Sequence, residues 1–341
     1  MTRDPNGVGL RRLDAVRGLV SVIIPARDAD AWIAETIGCV KAQTYRHVEI
    51  VVVDDRSTDR TGSIAADHGA LVIEGPGVGP GAARNAGAAV ARGEFLQFLD
   101  ADDLLAPTKV ERQVRLLEKT RADVAWEPFH HLVSDSEPNG DFRISAPVRP
   151  EIAEDLGASL LTTRGFIQIG ALLVRRNRRT DAIWFTPARG AVEDVRYEMA
   201  LAFAGARFVS SDVGELGLLF RQHSGPRQSR TRPLALFAQG CADNAIWAQD
   251  YWQRNGGLTS ARRAALGEAY AFAARQLAAL DIIAFEDVAM RGLAVGDEFT
   301  NRLPGRVRFL SRLVGYPRAE MIASGWRKLK GAELNADAGK P

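Results

Sequence analysis

From Leu19 onward, short apolar runs rich in β-branched residues alternate with stretches whose apolar positions recur at helical spacing. The runs are LVSVIIPA, VEIVVVDD, ALVIEG and EFLQFLD; between them lie AWIAETIGCVKAQ, DRTGSIAADHG and GAARNAGAAVAR. This order predicts β-α-β-α-β-α-β. Ile50 to Val53 is apolar at every position, a pattern a strand carries when both of its faces are covered. The expected fold class is therefore α/β, a mostly parallel sheet flanked by helices.

In open sheets of this kind ligands sit beyond the carboxyl ends of the strands, and all four expected ends are polar or glycine-rich. The first strand runs out in Pro25-Ala26-Arg27-Asp28 and the second in Asp54-Asp55-Arg56-Ser57-Thr58-Asp59. The third enters Gly75-Pro76-Gly77-Val78-Gly79-Pro80-Gly81, followed by Arg84 and Asn85. The fourth passes from Phe95 to Leu99 straight into Asp100, Ala101, Asp102 and Asp103. Carboxylates crowded at a strand tip repel one another unless a proton or a divalent cation neutralises them, and oxygen-only ligands suit Mg²⁺ or Mn²⁺. Taken alone, D-A-D-D reads more plainly as an acidic turn before a helix. Asp55 can accept hydrogen bonds from a base or ribose, while Ser57 or Thr58 can cap the next helix, with Asp59 reinforcing its positive end. The glycines let backbone approach a ligand closely, and Arg84 can offset phosphate charge.

Gly77-Val78-Gly79-Pro80-Gly81-Ala82 also fits the dinucleotide fingerprint G-x-G-x-x-A, but it follows the third strand instead of the first. No G-x-x-x-x-G-K-[ST] phosphate loop occurs.

Past Asp103 the pattern loosens. Pro107 to Thr120 predicts an amphipathic helix, ADVAWEPF and GFIQIGALLVRR predict strands, and SDSEPNGDFRISAPVRP a polar loop. Glu193 and Asp194 open a helical stretch, a place where carboxylates are stabilised by the helix dipole. From Pro233 to about Leu293, alanine-rich helices carry Phe237, Trp247, Tyr251, Trp252, Tyr270 and Phe272, an aromatic stripe suited to a core or a homodimer contact. Asn301 to Gly331 holds eight Lys/Arg against Glu320 as its one acid, interleaved with Phe309, Leu310, Leu313, Val314, Met321, Ile322 and Trp326. Two expectations compete there: a solvated helix face packed on the domain, or peripheral membrane contact through 301–331.

Composition narrows the classes. The chain has 341 residues, 46% hydrophobic and 25% charged, an ordinary soluble balance with room for one large domain or two smaller ones. A net charge of +2 makes no case for nucleic acid as a partner. Cys39 and Cys241 are the only cysteines, which excludes a disulfide framework and a Cys-based zinc site and fits a reducing cytoplasm. The N-terminal MTRDPNGVGLRRLDAVRG lacks an apolar core, and no apolar run is long enough to span a bilayer, so neither a signal peptide nor a membrane span is expected.

The ordered set SVIIPARDAD, VEIVVVDDRSTD and GPGAARNAGAAVARGEFLQFLDADD, dense from Ser21 to Asp103, resembles the family 2 glycosyltransferases. That resemblance implies a GT-A fold, a mostly parallel, mixed sheet flanked by helices, here with a helical C-terminal extension. Its expected divisions are a polar extension over 1–18, a GT-A domain over 19–230, a helical region over 231–300 and a basic amphipathic tail over 301–341. Within the GT-A domain, 19–125 forms the nucleotide-sugar half and 126–230 the acceptor half.

The resemblance also implies roles. Pro25, Arg27, Asp55, Arg84, Asp100 and Ala101 line the nucleotide-sugar site. Asp102, joined by His223, holds Mg²⁺ or Mn²⁺ against the diphosphate. Asp194, with Glu193 beside it, is the general base of an inverting displacement. Asp103 is left to cap the following turn, and Arg221 to clamp phosphate. The implied donor is a UDP-sugar, and the implied acceptor a saccharide or lipid-linked saccharide, as in polysaccharide biosynthesis. Three departures stand out. Arg56 occupies the place of the usual glycine in D-D-G-S, Arg27-Asp28 replaces Tyr-Asn, and Phe220 replaces a tyrosine before Arg221. Rival classes are a nucleotidyltransferase or NAD(P)-dependent enzyme on the same scaffold, and a non-catalytic nucleotide-sugar-binding module.

Overall fold

The computed structural model describes residues 15–134, 142–186, 192–211, 214–222 and 233–337. Its contacts divide the chain into two compact units, one of Met1–Glu151, Phe166–Pro187 and Glu193–Gly225, the other of Ile152–Gly165, Ala188–Val192 and Pro226–Pro341.

In the first unit β1 (Val16–Ala26), β2 (Val48–Asp54), β3 (Leu71–Glu74) and β4 (Gly93–Phe98) run parallel, joined by α1 (Ile33–Lys41), α2 (Thr61–Asp67) and α3 (Pro80–Val90). β9 (Leu172–Arg175) lies antiparallel between β4 and β6 (Val124–Trp126), and β10 (Phe208–Ser210) adds to β6 in parallel. The seven strands stand in the order β10-β6-β9-β4-β1-β2-β3. Val22, Ile23, Ile24, Val51, Val52, Val53 and Phe95 are wholly buried. At about 1.5–3 kcal/mol for each such side chain, burial on both faces explains why these runs form the central strands. α3 closes on the sheet at Gly87, where a Cβ would run into the side chains of Ile23 and Val53.

The predicted strand ADVAWEPF breaks in two. β6 ends at Trp126 and β7 (Phe129–Ser134) begins just past Pro128, which has no N–H for the ladder. The chain thereby leaves the first sheet for a second, four-stranded one ordered β5 (Leu104–Leu105), β11 (Leu218–Gln222), β7 and β8 (Phe142–Ile144). GFIQIGALLVRR is extended as β9 only from Leu172, after a single 3₁₀ turn over Ile169–Ala171. α4 (Lys109–Thr120) packs behind β6 and β9 through Val110, Val114 and Leu117, as its amphipathic pattern predicts.

The second unit is helical: α5 (Leu156–Leu161), then Leu234–Arg254, Ser260–Leu277, Ile282–Val295, Asp297–Thr300, Gly305–Val314 and Tyr316–Asp337. Ala238, Ala242, Ala245 and Ala248 on one helix and Ala265, Ala269 and Ala273 on the next are buried, small enough for the axes to approach. Trp252, Tyr270, Phe285 and Phe299 fill the core around them. The predicted aromatic stripe is therefore in part core, with Tyr270 Oη donating to Gln249 Oε1 at 2.5 Å. Among the described residues no helix is long and apolar enough to cross a membrane.

Candidate active site

The acidic segment leaves the sheet where β4 ends. Leu99 N makes a last ladder bond to Ile23 O at 3.0 Å, and Asp103 N then donates to Asp100 O at 3.1 Å, turning the chain sharply. Neighbours hold this turn by its backbone. Thr36 Oγ1 on α1 donates to Ala101 O at 2.8 Å and to Asp103 O at 3.1 Å, and Arg221 Nε on β11 donates to Asp102 O at 2.9 Å. Asp103 does not cap the next turn as expected; it is buried, and its carboxylate accepts the Arg221 N–H at 3.0 Å. Nor is Arg221 placed as a phosphate clamp. Its buried guanidinium pairs with Glu35 at 2.6 Å and lies 4.8 Å from the centre of the Trp32 ring. Both residues tether the tip, one through a carboxylate and one through a cation. His223, the expected further metal ligand, lies outside the described residues.

Beside the tip, the ends of β1 and β2 are tied together. Asp28 Oδ1 accepts Thr58 N at 2.7 Å and Thr58 Oγ1 at 3.0 Å, while Asp28 N donates to Ser57 Oγ at 3.1 Å. Ser57 and Thr58 are thus spent on this bridge and do not cap α2. Asp59 supplies that helix start instead, accepting Thr61 N at 2.9 Å. Arg56 has φ 64°, in the left-handed region that favours glycine, which gives the usual glycine of D-D-G-S a backbone reason and leaves Arg56 strained. Pro25 is buried in the ladder opposite Val53, and the exposed Arg27 lies 3.8 Å from Asp28.

Asp55 is buried and holds the glycine loop, its two oxygens accepting Gly77 N at 2.6 Å and Gly79 N at 3.0 Å. Those amides belong to the glycines of the G-x-G-x-x-A match. Because they point at Asp55, they do not cradle a pyrophosphate, which argues against the dinucleotide reading.

Arg84 on α3 joins the tip to the start of α6 (Glu193–Phe203). It is only 4% exposed, with Nη2 2.7 Å from Asp100 Oδ1 and Nη1 3.4 Å from Glu193 Oε1. The adjacent Asn85 clamps the backbone of Phe185, donating to its carbonyl at 2.8 Å and accepting its N–H at 2.9 Å. Phe185 in turn stacks on Tyr197 at 4.1 Å and faces the Arg84 guanidinium at 5.3 Å. Gly81 leaves room for this packing, since a Cβ there would meet Glu193 Cγ at 3.0 Å and Phe185 Cβ at 3.3 Å.

The electrostatics of the cluster are lopsided. Burial pushes the Asp194 carboxyl up to about 7; the charge of Glu193 adds to the rise and Arg84 opposes it. Glu198, one turn along α6, is fully buried, and neither of its carboxyl oxygens has a hydrogen-bond partner. Burial, with the charge of Asp194, raises it well above the usual carboxylate range. Burial would lower Arg84, but Asp100, Glu193 and Asp194 outweigh it and hold the guanidinium charged. Such a centre can take up a proton near neutrality and attract a cation.

The structure brings Arg84, Asp100, Glu193 and Asp194 into one cluster, and sets Ala101 and Asp102 in the turn beside it. Thr36, Phe185, Tyr197 and Glu198 were not anticipated, and Asn85 was expected near the site without a role. Tyr197 and Glu198 stand three and four residues past Asp194, the spacing that shares a helix face, and this was the one available signal for them. Phe185, in a connection without periodicity, gave none.

Residues 21–174 match the family model described as glycosyl transferase family 2. An uncharacterised glycosyltransferase of Rickettsia typhi is 39% identical over 103 residues, which make up 30% of this chain and 32% of that protein. The chain thus spans about a third of that relative's length. Among solved structures, S. aureus TarS 1-349 in complex with UDP-GlcNAc superposes with a TM-score of 0.65 at 19% identity, covering 93% of this chain and 92% of that one. The mannosyltransferase PcManGT from Pyrobaculum calidifontis, in complex with GDP-Man and Mn²⁺, gives 0.52 at 20% identity, covering 92% and 88%. At these identities the likeness is one of fold, and it bears out the expected α/β architecture with its helical C-terminal extension. Motifs, fold and matched span agree: over residues 21–174 the chain is similar to glycosyl transferase family 2, and its fold is that of the solved transferases.

Proposed function

We propose that this protein is an inverting glycosyltransferase that moves a sugar from a nucleoside diphosphate carrier to a hydroxyl of a glycan or lipid-linked glycan. One observation carries the reading: Asp194, half-buried and raised toward neutrality, belongs to the same cluster as the buried Arg84 and the end of β4. A carboxylate with that affinity for protons can take the hydroxyl proton of an acceptor as its oxygen attacks the sugar carbon. A single displacement then inverts that carbon. Arg84 positions Asp100 and Glu193, Glu193 keeps Asp194 basic by its charge, and Asp55 shapes the loop on the nucleotide side.

Among the described residues no three His, Cys, Asp or Glu side chains converge as a metal cage. Carboxylates at a strand tip nevertheless fit Mg²⁺ or Mn²⁺, which commonly take one or two protein carboxylates and complete their shell with substrate phosphate oxygens and water. Asp102 is the proposed ligand, with Asp100 beside it. When bound, the cation supplies charge neutralisation for the departing diphosphate.

TarS is solved with UDP-GlcNAc and PcManGT with GDP-Man, so UDP- and GDP-sugars are the first donors to test. The deciding experiment combines thermal shift by UDP and GDP, with and without Mn²⁺, and nucleotide release from the matching sugar donors. One nucleotide should stabilise the protein only when the metal is present, and Asp102→Ala should abolish that dependence. Asp194→Asn should keep the shift and lose release. Metal-independent stabilisation of the wild type would remove the cation, and full turnover by Asp194→Asn would remove the base.

A further inference from the structure

The second unit carries an exposed surface of apolar and basic side chains. Helix Gly305–Val314 packs inward through Val307, with Leu310 and Ser311 half-buried at its flanks. On the opposite face stand Phe309 and Leu313, 64% and 68% exposed, with Arg308 and Arg312 to one side and Arg306 to the other. Helix Tyr316–Asp337 repeats the arrangement. Tyr316, Ala319, Glu320 and Ser324 are buried, with the Tyr316 ring 5.0 Å from that of Phe299. Met321, Ile322 and Trp326 are exposed, Trp326 by 59%, beside the exposed Arg318. Glu320, the one acid within residues 305–327, is turned inward and paired with Arg327 at 2.7 Å.

Five large apolar side chains in water on consecutive helices call for a partner, and the arginines around them specify a negatively charged one. We propose that residues 305–327 form a docking surface for an anionic phospholipid bilayer. Phe309, Leu313, Met321, Ile322 and Trp326 enter the boundary between headgroups and acyl chains, and Arg306, Arg308, Arg312 and Arg318 meet the phosphates. A nearby apolar face of the same unit supplies the contrast. Ile283 and Met290 on helix Ile282–Val295 are also exposed, but they share their face with exposed Glu286 and Asp287, which an anionic surface repels.

The proposal stands on these helices and needs no turnover, so its failure and that of the transferase reading are separable. The full chain is floated with phosphatidylcholine vesicles, with or without phosphatidylglycerol, at low and high salt. It should rise only with phosphatidylglycerol, and less at high salt. Arg308→Gln and Arg312→Gln should each weaken binding roughly fivefold. Phe309→Ser with Leu313→Ser should abolish flotation at unchanged melting temperature, since both side chains are exposed. Absence of binding, equal binding to pure phosphatidylcholine, or a Phe309→Ser/Leu313→Ser protein that floats like wild type would overturn the proposal. So would a wild-type dimer that the same pair dissolves, because the face would then be a contact between copies.

Discussion

Two buried polar clusters hang on β4, and they obey opposite rules. Partway along the strand, Gln97 donates to Gly170 O at 2.9 Å and accepts from Lys109 Nζ, which also donates to Leu172 O at 3.2 Å. Gln113 donates to Ala171 O at 2.8 Å, and Glu127 is met by Arg112 at 3.1 Å. Two cations there stand with the buried carboxylate of Glu127, Arg112 also reaches the exposed Glu215 at 2.7 Å, and most donors find acceptors. At the tip of the same strand Asp100, Glu193, Asp194 and Glu198 share Arg84, the one cation in their electrostatic surroundings among the described residues. The first cluster cements α4 to the sheet. The second gathers four carboxyl groups around Arg84, an arrangement that folding alone does not reward, and it is the proposed place for a ligand that completes the charge balance.

The largest expected effect tests that division directly. Asp194→Asn should lower kcat by roughly 10² to 10⁴, the range of general-base catalysis, while leaving the melting temperature unchanged or raised because a like charge has gone. Nucleotide release and a melting curve on one preparation decide it. A variant that melts early would make Asp194 part of the scaffold and erase the contrast. Next comes Arg84→Met, which strips the tip of its cation and should cost about 3–5 kcal/mol in urea unfolding. Adding Glu193→Gln should recover part of that loss, because fewer charges are then left uncompensated. If the two changes simply add, the pairing at 3.4 Å does not hold the cluster together.

The contrast also explains what could be read from residues alone. The parallel half was legible because burial on both faces writes itself as runs such as Ile50 to Val53, and because strand ends turn abruptly polar. The second sheet was not. β5 is two residues long, and β11 pairs with β7 across a sequence separation that periodicity cannot express. Asp103 and Arg221 were misread because a carboxylate or guanidinium can bind a ligand or tether a loop, and only the distances to Arg221 N and Glu35 separate the two. Arg56 departs from D-D-G-S, and the meaning of that departure is visible only in its φ of 64°. The scaffold cluster was missed altogether: a buried Lys109 inside an amphipathic pattern looks like a solvated position.

The smallest expected effect is also the one in which the clusters should differ in sign. Asp194 and Glu198 have folded-state pKa values above their unfolded ones, so the native state holds more protons than the unfolded chain. Their contribution to stability is complete below the usual carboxylate range and is lost as pH rises, for Asp194 between about 4 and about 7. Lys109 is the reverse case. Burial lowers it from 10.5 to about 7 against the opposing charge of Glu127, so there the native state holds fewer protons. Its effect is to make stability rise with pH across that window. Melting temperatures taken from about pH 5 to about pH 9 without divalent ions should therefore show Glu198→Gln flattening the acid-side decline and Lys109→Met flattening the alkaline-side rise. Each change should amount to about 2–4 °C per kcal/mol in a unit of this size. Should both variants alter the same limb of the curve, the two clusters are not independent. Gln97 would then transmit charge along β4, and the division between scaffold and site would have to be redrawn.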